Sequence, residues 1–113
     1  WAPLRRVAEP LIDLLPVAFE FRSFWYRGEL VGVGPYWAAP AYALTARERE
    51  DALAVGEEAA RRIGAAFLVV DLAQREDGRW IVIECNDGED AGYSGVDGVA
   101  LWKRVVAIDA ARG

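Results

Sequence analysis

Residues 67–87 read FLVVDLAQREDGRWIVIECND, and their pattern decides the fold. Two runs rich in β-branched residues flank Asp77-Gly78, a dipeptide suited to two-residue hairpin turns because both turn positions need positive φ. The stretch therefore predicts a β-hairpin. With Asp77-Gly78 as a two-residue turn, the register is fixed. Leu72 then meets Ile83 and Val70 meets Cys85 on an apolar face. On the other face Asp71 lies directly across from Glu84, with Asn86 two residues further on the same side.

Upstream, VAFEFRSFWYRGELVGVGPYW (residues 17–37) repeats the logic around Arg27-Gly28. Strands are expected near 17–26 and 29–37. Alternation places Phe19, Phe21 and Trp25 on a core face, and Glu20, Arg22, Phe24 and Tyr26 on a face toward solvent or a cleft. Between the hairpins, Thr45-Ala46-Arg47-Glu48 is a capping box that opens a helix. Leu53, Gly56, Ala60 and Ile63 follow at helical spacing, and Gly64 closes the helix in the left-handed conformation. Glu57–Arg61 and Glu58–Arg62 are i, i+4 pairs on its wet side. A last helix is expected over roughly 99–111, with Leu101, Trp102, Val105 and Ile108 near one stripe. Residues 1–16 have helical spacing at Leu4, Val7 and Leu11, cut short by Pro3, Pro10 and Pro16. They are expected to be a lead-in from a preceding region. The predicted class is α+β: an antiparallel sheet from two hairpins with the helices packed on one face.

The 113 residues carry 54% apolar side chains, including five Trp, four Tyr and four Phe, enough for one packed domain. A net charge of −5 argues against a nucleic-acid partner. No apolar run approaches the roughly 20 residues that span a bilayer, so no membrane segment is expected. One cysteine, Cys85, and no histidine exclude an internal disulfide and the usual zinc sites. A reducing, cytoplasmic setting fits. The chain starts with Trp and is read as a portion of a longer protein.

Facing carboxylates about 5 Å apart at Cβ destabilise a sheet. Two explanations meet the pattern. A divalent cation such as magnesium would turn the repulsion into shared coordination, because hard cations prefer carboxylate and amide oxygens. Alternatively the pair is solvent-exposed and relieved by Arg22 or another arginine.

The ordered set of an EFR strand, a hairpin ending in PYW, a helix, then FLVVDLA, a DG turn and IECNDG resembles the ATP-grasp superfamily over most of residues 14–106. The resemblance is to the C-terminal subdomain, in a branch of uncharacterised members. It implies that Asp71, Glu84 and Asn86 hold magnesium (with manganese as a substitute) bridging the phosphates of ATP. Arg22 would contact the γ-phosphate, or the acyl phosphate formed from it, and so act in catalysis. The implied activity is ligation: a small-molecule or peptide carboxylate is activated as an acyl phosphate and attacked by an amine or thiol. This sequence departs from the family in two ways. Many members carry arginine two residues before the metal-binding aspartate, where Val69 stands here. The lysines and glycine-rich loop that grip ATP have no match, and Lys103 sits in the last helix. The domain assignment that follows is residues 1–113 as the C-terminal half of an ATP-grasp fold. Its other half is expected in an N-terminal remainder, without which this portion would be inactive.

Other residues have plainer readings. Glu20 is expected to pair with Arg22, Tyr36 and Trp37 to pack, and Cys85 to be a small buried hydrophobe. Asp87, Glu89 and Asp90 read as a solvated acidic loop, and Gly88, Gly92, Gly95 and Gly98 as a mobile one. A metal-dependent nuclease would need lysine where Asn86 stands. The non-catalytic alternative is an α+β interaction domain, or an ATP-grasp module that has lost its chemistry.

Overall fold

The computed structural model describes residues 3–7, 17–37, 41–88 and 92–112. Its elements are β1 (Glu20–Tyr26), β2 (Glu29–Pro35), α1 (Ala46–Ile63), β3 (Phe67–Gln74), β4 (Trp80–Asp87) and α2 (Gly98–Arg112). The four strands form one antiparallel sheet in the order β2-β1-β3-β4, so the α+β class and the two hairpins stand as expected.

The first hairpin turns on two left-handed residues, Arg27 at φ 50° and Gly28 at φ 82°, as a two-residue turn requires. Helix α1 begins at the expected capping box. Glu48 N–H donates to Thr45 Oγ1 at 3.1 Å, and Thr45 N–H to Glu48 Oε1 at 2.9 Å. The helix ends at Gly64, φ 72°, whose N–H reaches the Ala60 carbonyl at 3.0 Å. Arg61 and Arg62 both pair with Glu58 rather than one each with Glu57 and Glu58. Helix α2 has an N-cap that the sequence pattern did not single out: Asp97 Oδ1 accepts from Val99 N–H at 3.0 Å and Ala100 N–H at 3.2 Å.

The helices do not share a face of the sheet. Ala52 and Ala60 of α1 pack with Phe21, Trp25, Leu68, Val70 and Leu72. Leu101, Val105 and Ile108 of α2 pack with Phe24, Val31 and Val69. Val69 and its neighbours Leu68 and Val70 therefore point to opposite layers, as pleating demands. Phe24, expected on an open face, is fully buried for this reason. Residues 67–73 form a nearly continuous apolar run, the mark of a strand covered on both sides.

Two further expectations change. Residues 3–7 are extended, not helical. Arg5 N–H donates to the Gln74 carbonyl at 2.7 Å and Arg5 C=O accepts from Phe19 N–H at 2.8 Å, which ties this stretch to the sheet. Leu11 and most of the lead-in lie outside the described residues. The Asp77-Gly78 turn is also longer than two residues. Gly78 alone of that pair is left-handed (φ 92°), its N–H meets the Arg75 carbonyl at 2.9 Å, and Arg75 N–H meets the Arg79 carbonyl at 2.8 Å. That is the three-residue hairpin loop with glycine at its left-handed position. It sets Leu72 opposite Val82 instead of Ile83. A β-bulge between Asp71 and Leu72 then absorbs Ile83 as the extra residue. Beyond the bulge Asp71 faces Glu84 and Val70 faces Cys85, as the sequence suggested.

Candidate functional site

Strand order builds the site. Because β1 lies beside β3, Arg22 is registered against Asp71, which is registered in turn against Glu84 on β4. Asn86, opposite Val69, follows on the same face. Arg22, Asp71, Glu84 and Asn86 thus come from three adjacent strands to one face of the sheet. Helix α2 covers the β1–β2 side of this face and leaves Glu84 exposed and Asn86 half-buried.

Arg22 and Asp71 form the centre. Nε donates to Oδ1 at 2.8 Å and Nη2 to Oδ2 at 2.9 Å, a two-pronged contact that uses the planar guanidinium fork. The Asp71 side chain is 1% exposed and that of Arg22 11%. Of the two explanations for the facing acids, relief by Arg22 is therefore present in the structure without any ligand. The guanidinium is held at two more points: Nη1 donates to the Gly92 carbonyl at 2.9 Å, and the Tyr36 ring lies 4.9 Å from Cζ. The hydrogen bond to Asp71 holds the Arg22 pKa above its ordinary value.

The Gly92 carbonyl reaches Arg22 because the loop before α2 lies flat on β2. A side chain at Gly34 would meet the Gly95 backbone at 2.6 Å, and Gly95 N–H donates to the Pro35 carbonyl at 3.0 Å. The described part of the glycine-rich stretch, read as mobile, is docked. Neither Gly92 nor Tyr36 was singled out as an Arg22 partner. The small residues at 32 and 34 were the available signal, since a strand that alternates glycine invites close backbone approach.

Glu20 does not pair with Arg22. It is buried on the same face, and burial first, then the Asp71 charge, push its carboxyl up to about 7 against the opposing pull of Arg22. Cys85 packs against the α1 layer as expected. Burial, with Asp71 and Glu84 adding to it, raises its thiol pKa, which keeps it protonated. Asp87 is exposed, and Glu89 and Asp90 lie outside the described residues. Val69 is fully buried beneath α2, which explains why this position holds no arginine.

A family model for the ATP-grasp domain, the third family of its clade, matches residues 4–105. The chain belongs to the ATP-grasp family. No curated protein and no solved structure matches it. The ATP-grasp family is one of ATP-binding, ligase-type enzymes, and its match takes in both hairpins, α1 and the Arg22–Asp71–Glu84–Asn86 face. Among the described residues no helix is long and apolar enough to cross a membrane.

The donor set can be tested against a magnesium ion on chemistry alone. Two carboxylates and a side-chain amide are all hard oxygen donors, which suits magnesium. Among the described residues no group of three or more Asp, Glu, Cys or His stands ready to hold a metal by itself. An incomplete protein set is what magnesium takes beside nucleotide phosphates, which fill the remaining positions. The residues fit.

Proposed function

We propose that this chain is the Mg·ATP-holding portion of an ATP-grasp ligase that activates a carboxylate as an acyl phosphate for attack by an amine or thiol. The observation that carries the reading is the gathering of Arg22, Asp71, Glu84 and Asn86 on one sheet face by the register of three strands. Magnesium bound there would neutralise charge on the transferring phosphoryl group.

The roles of the chain's own residues follow from their chemistry. Asp71 and Glu84 offer anionic oxygens and Asn86 an amide oxygen to the cation. Arg22, always charged and forked, suits a phosphoryl oxygen or the acyl phosphate, and its transfer from Asp71 to phosphate exchanges one charge-assisted contact for another. The Gly92 carbonyl and Tyr36 ring keep its guanidinium in place during that exchange. None of these side chains needs to become a covalent nucleophile.

One observation favours a second reading, an interaction domain or an ATP-grasp module without activity. Arg22 and Asp71 satisfy one another fully with nothing bound. Melting curves with millimolar magnesium or manganese plus a non-hydrolysable ATP analogue separate the two. The ligase reading expects the wild type to gain several degrees, and Glu84→Gln and Asp71→Asn to lose that gain. An unresponsive wild type, or variants that respond in full, would remove it.

A further inference from the structure

Glu20 is the one acid of this face that the metal-and-phosphate assignment leaves unused. It is 9% exposed, yet among the described residues no donor hydrogen-bonds its carboxylate. Its backbone is fixed: the Glu20 carbonyl accepts from Tyr36 N–H at 3.0 Å and from the Tyr42 hydroxyl at 2.6 Å. The side chain sits two residues before Arg22 on the same sheet face, where Arg22, Asp71 and Glu84 are near enough to act on its charge. A buried carboxylate without a partner is costly, and the natural remedy is a cation that donates hydrogen bonds.

The cation has an organic character. With no group of three acids converging on a metal among the described residues, Glu20 stands apart from the Asp71–Glu84 pair as a ligand. An ammonium needs less: one carboxylate, and it gains from an aromatic face. Tyr36, at the end of β2, already presents its ring to a guanidinium. Glu20, Asp71 and Glu84 against Arg22 also leave this face with an excess of negative charge. It would draw in an ammonium and repel a thiolate.

We propose that Glu20 is the seat of the cationic amine of the second substrate, so that the nucleophile at this site is an amine and not a thiol. The inference rests on the ligase reading and narrows it.

Backbone amide NMR of the protein tests the seat with two small probes of similar size, glycinamide and 2-mercaptoacetamide. Glycinamide should shift the amides of Glu20, Arg22 and Tyr36. Its affinity should fall roughly tenfold in Glu20→Gln, the scale of a lost hydrogen bond to a charged group. Glu20→Asp, which keeps the charge on a shorter arm, should retain part of the affinity, and it serves if the glutamine variant does not fold. The thiol should leave these amides unmoved. Equal glycinamide affinity in wild type and Glu20→Gln, no response in the wild type, or an equal response to the thiol would each overturn the seat. Manganese broadening around Asp71 and Glu84 in the same samples reports the metal reading separately. Broadening without a glycinamide response sinks the seat and spares the metal site. A glycinamide response without broadening keeps the seat and removes the ligase.

Discussion

At the scale of single residues, two buried acids on one face behave oppositely. Asp71 is held on both oxygens by Arg22, so Asp71→Asn leaves an arginine without its carboxylate and should cost about 2–3 kcal/mol. The facing acids read from sequence alone suggested the reverse, since removing one of two repelling charges stabilises. Arg22, between them and solvent, changes the sign. Glu20 gains stability on losing its charge. Its folded carboxyl is pushed up to about 7, above the range of an exposed glutamate. The native state therefore keeps a proton that the unfolded chain releases near the ordinary glutamate pKa. Stability from this group is complete below that value and is lost as pH rises through about 7. Denaturation of Glu20→Gln and wild type across pH should give curves that coincide in acid and separate toward neutrality. Above pH 7 the variant should be ahead by about 2 kcal/mol. Asp71 and Glu84 were legible as a pair from the hairpin, because each strand alternates and one turn sets the register. That Arg22 joins Asp71 was offered only as one alternative, because sequence does not fix which hairpin strands become neighbours.

At the scale of elements, local signals carried most of the information. The capping box, the left-handed Gly64 and the Arg27-Gly28 turn are short-range chemistry, and each is where the sequence places it. The second hairpin is a different lesson. Its turn is one residue longer than expected, and the bulge at Ile83 shifts the register by one residue the other way. The two departures cancel at Asp71, so the site pairing was right while Leu72 was assigned the wrong partner. A bulge is hard to see in sequence because an exposed isoleucine looks like any other strand residue; Ile83 is 44% exposed. The loop that reaches Arg22 depends on glycine at 34. Gly34→Ala would drive a methyl group to 2.6 Å from the Gly95 backbone, which cannot swing aside like a side chain. Chemical denaturation should show a loss of about 1–3 kcal/mol. Amide exchange at Gly92 and Gly95 should rise as the loop lifts, taking the Gly92 carbonyl from Arg22.

At the scale of the molecule, a three-layer arrangement replaces the expected two. One sheet carries α1 on one face and α2 on part of the other, and the uncovered part is the site. The clue lay in β3, whose unbroken apolar run leaves no wet face near Val69. Because α2 closes the second layer, its core residues should control the stability of the whole sheet. Leu101→Ala, at a fully buried position against Phe24 and Val69, should cost about 2–4 kcal/mol. In a chain of this size that is a fall in Tm on the order of 10 °C or more. Val106→Ala, at a 65% exposed position on the same helix, should change Tm little. Equal effects would mean that α2 packs on the sheet by another face.

The closed Arg22–Asp71 pair also sets an order of difficulty for any visitor to this face. If Asp71 serves a cation and Arg22 a phosphate, each ligand arriving alone must break the pair and strand the partner its own ligand does not satisfy. Arriving together, they satisfy both. Metal and nucleotide would then strengthen one another by the same factor, because coupling between two binding equilibria is reciprocal. Either one by itself would be held weakly, and the pair of buried charges would act as a lock that opens to two keys turned at once.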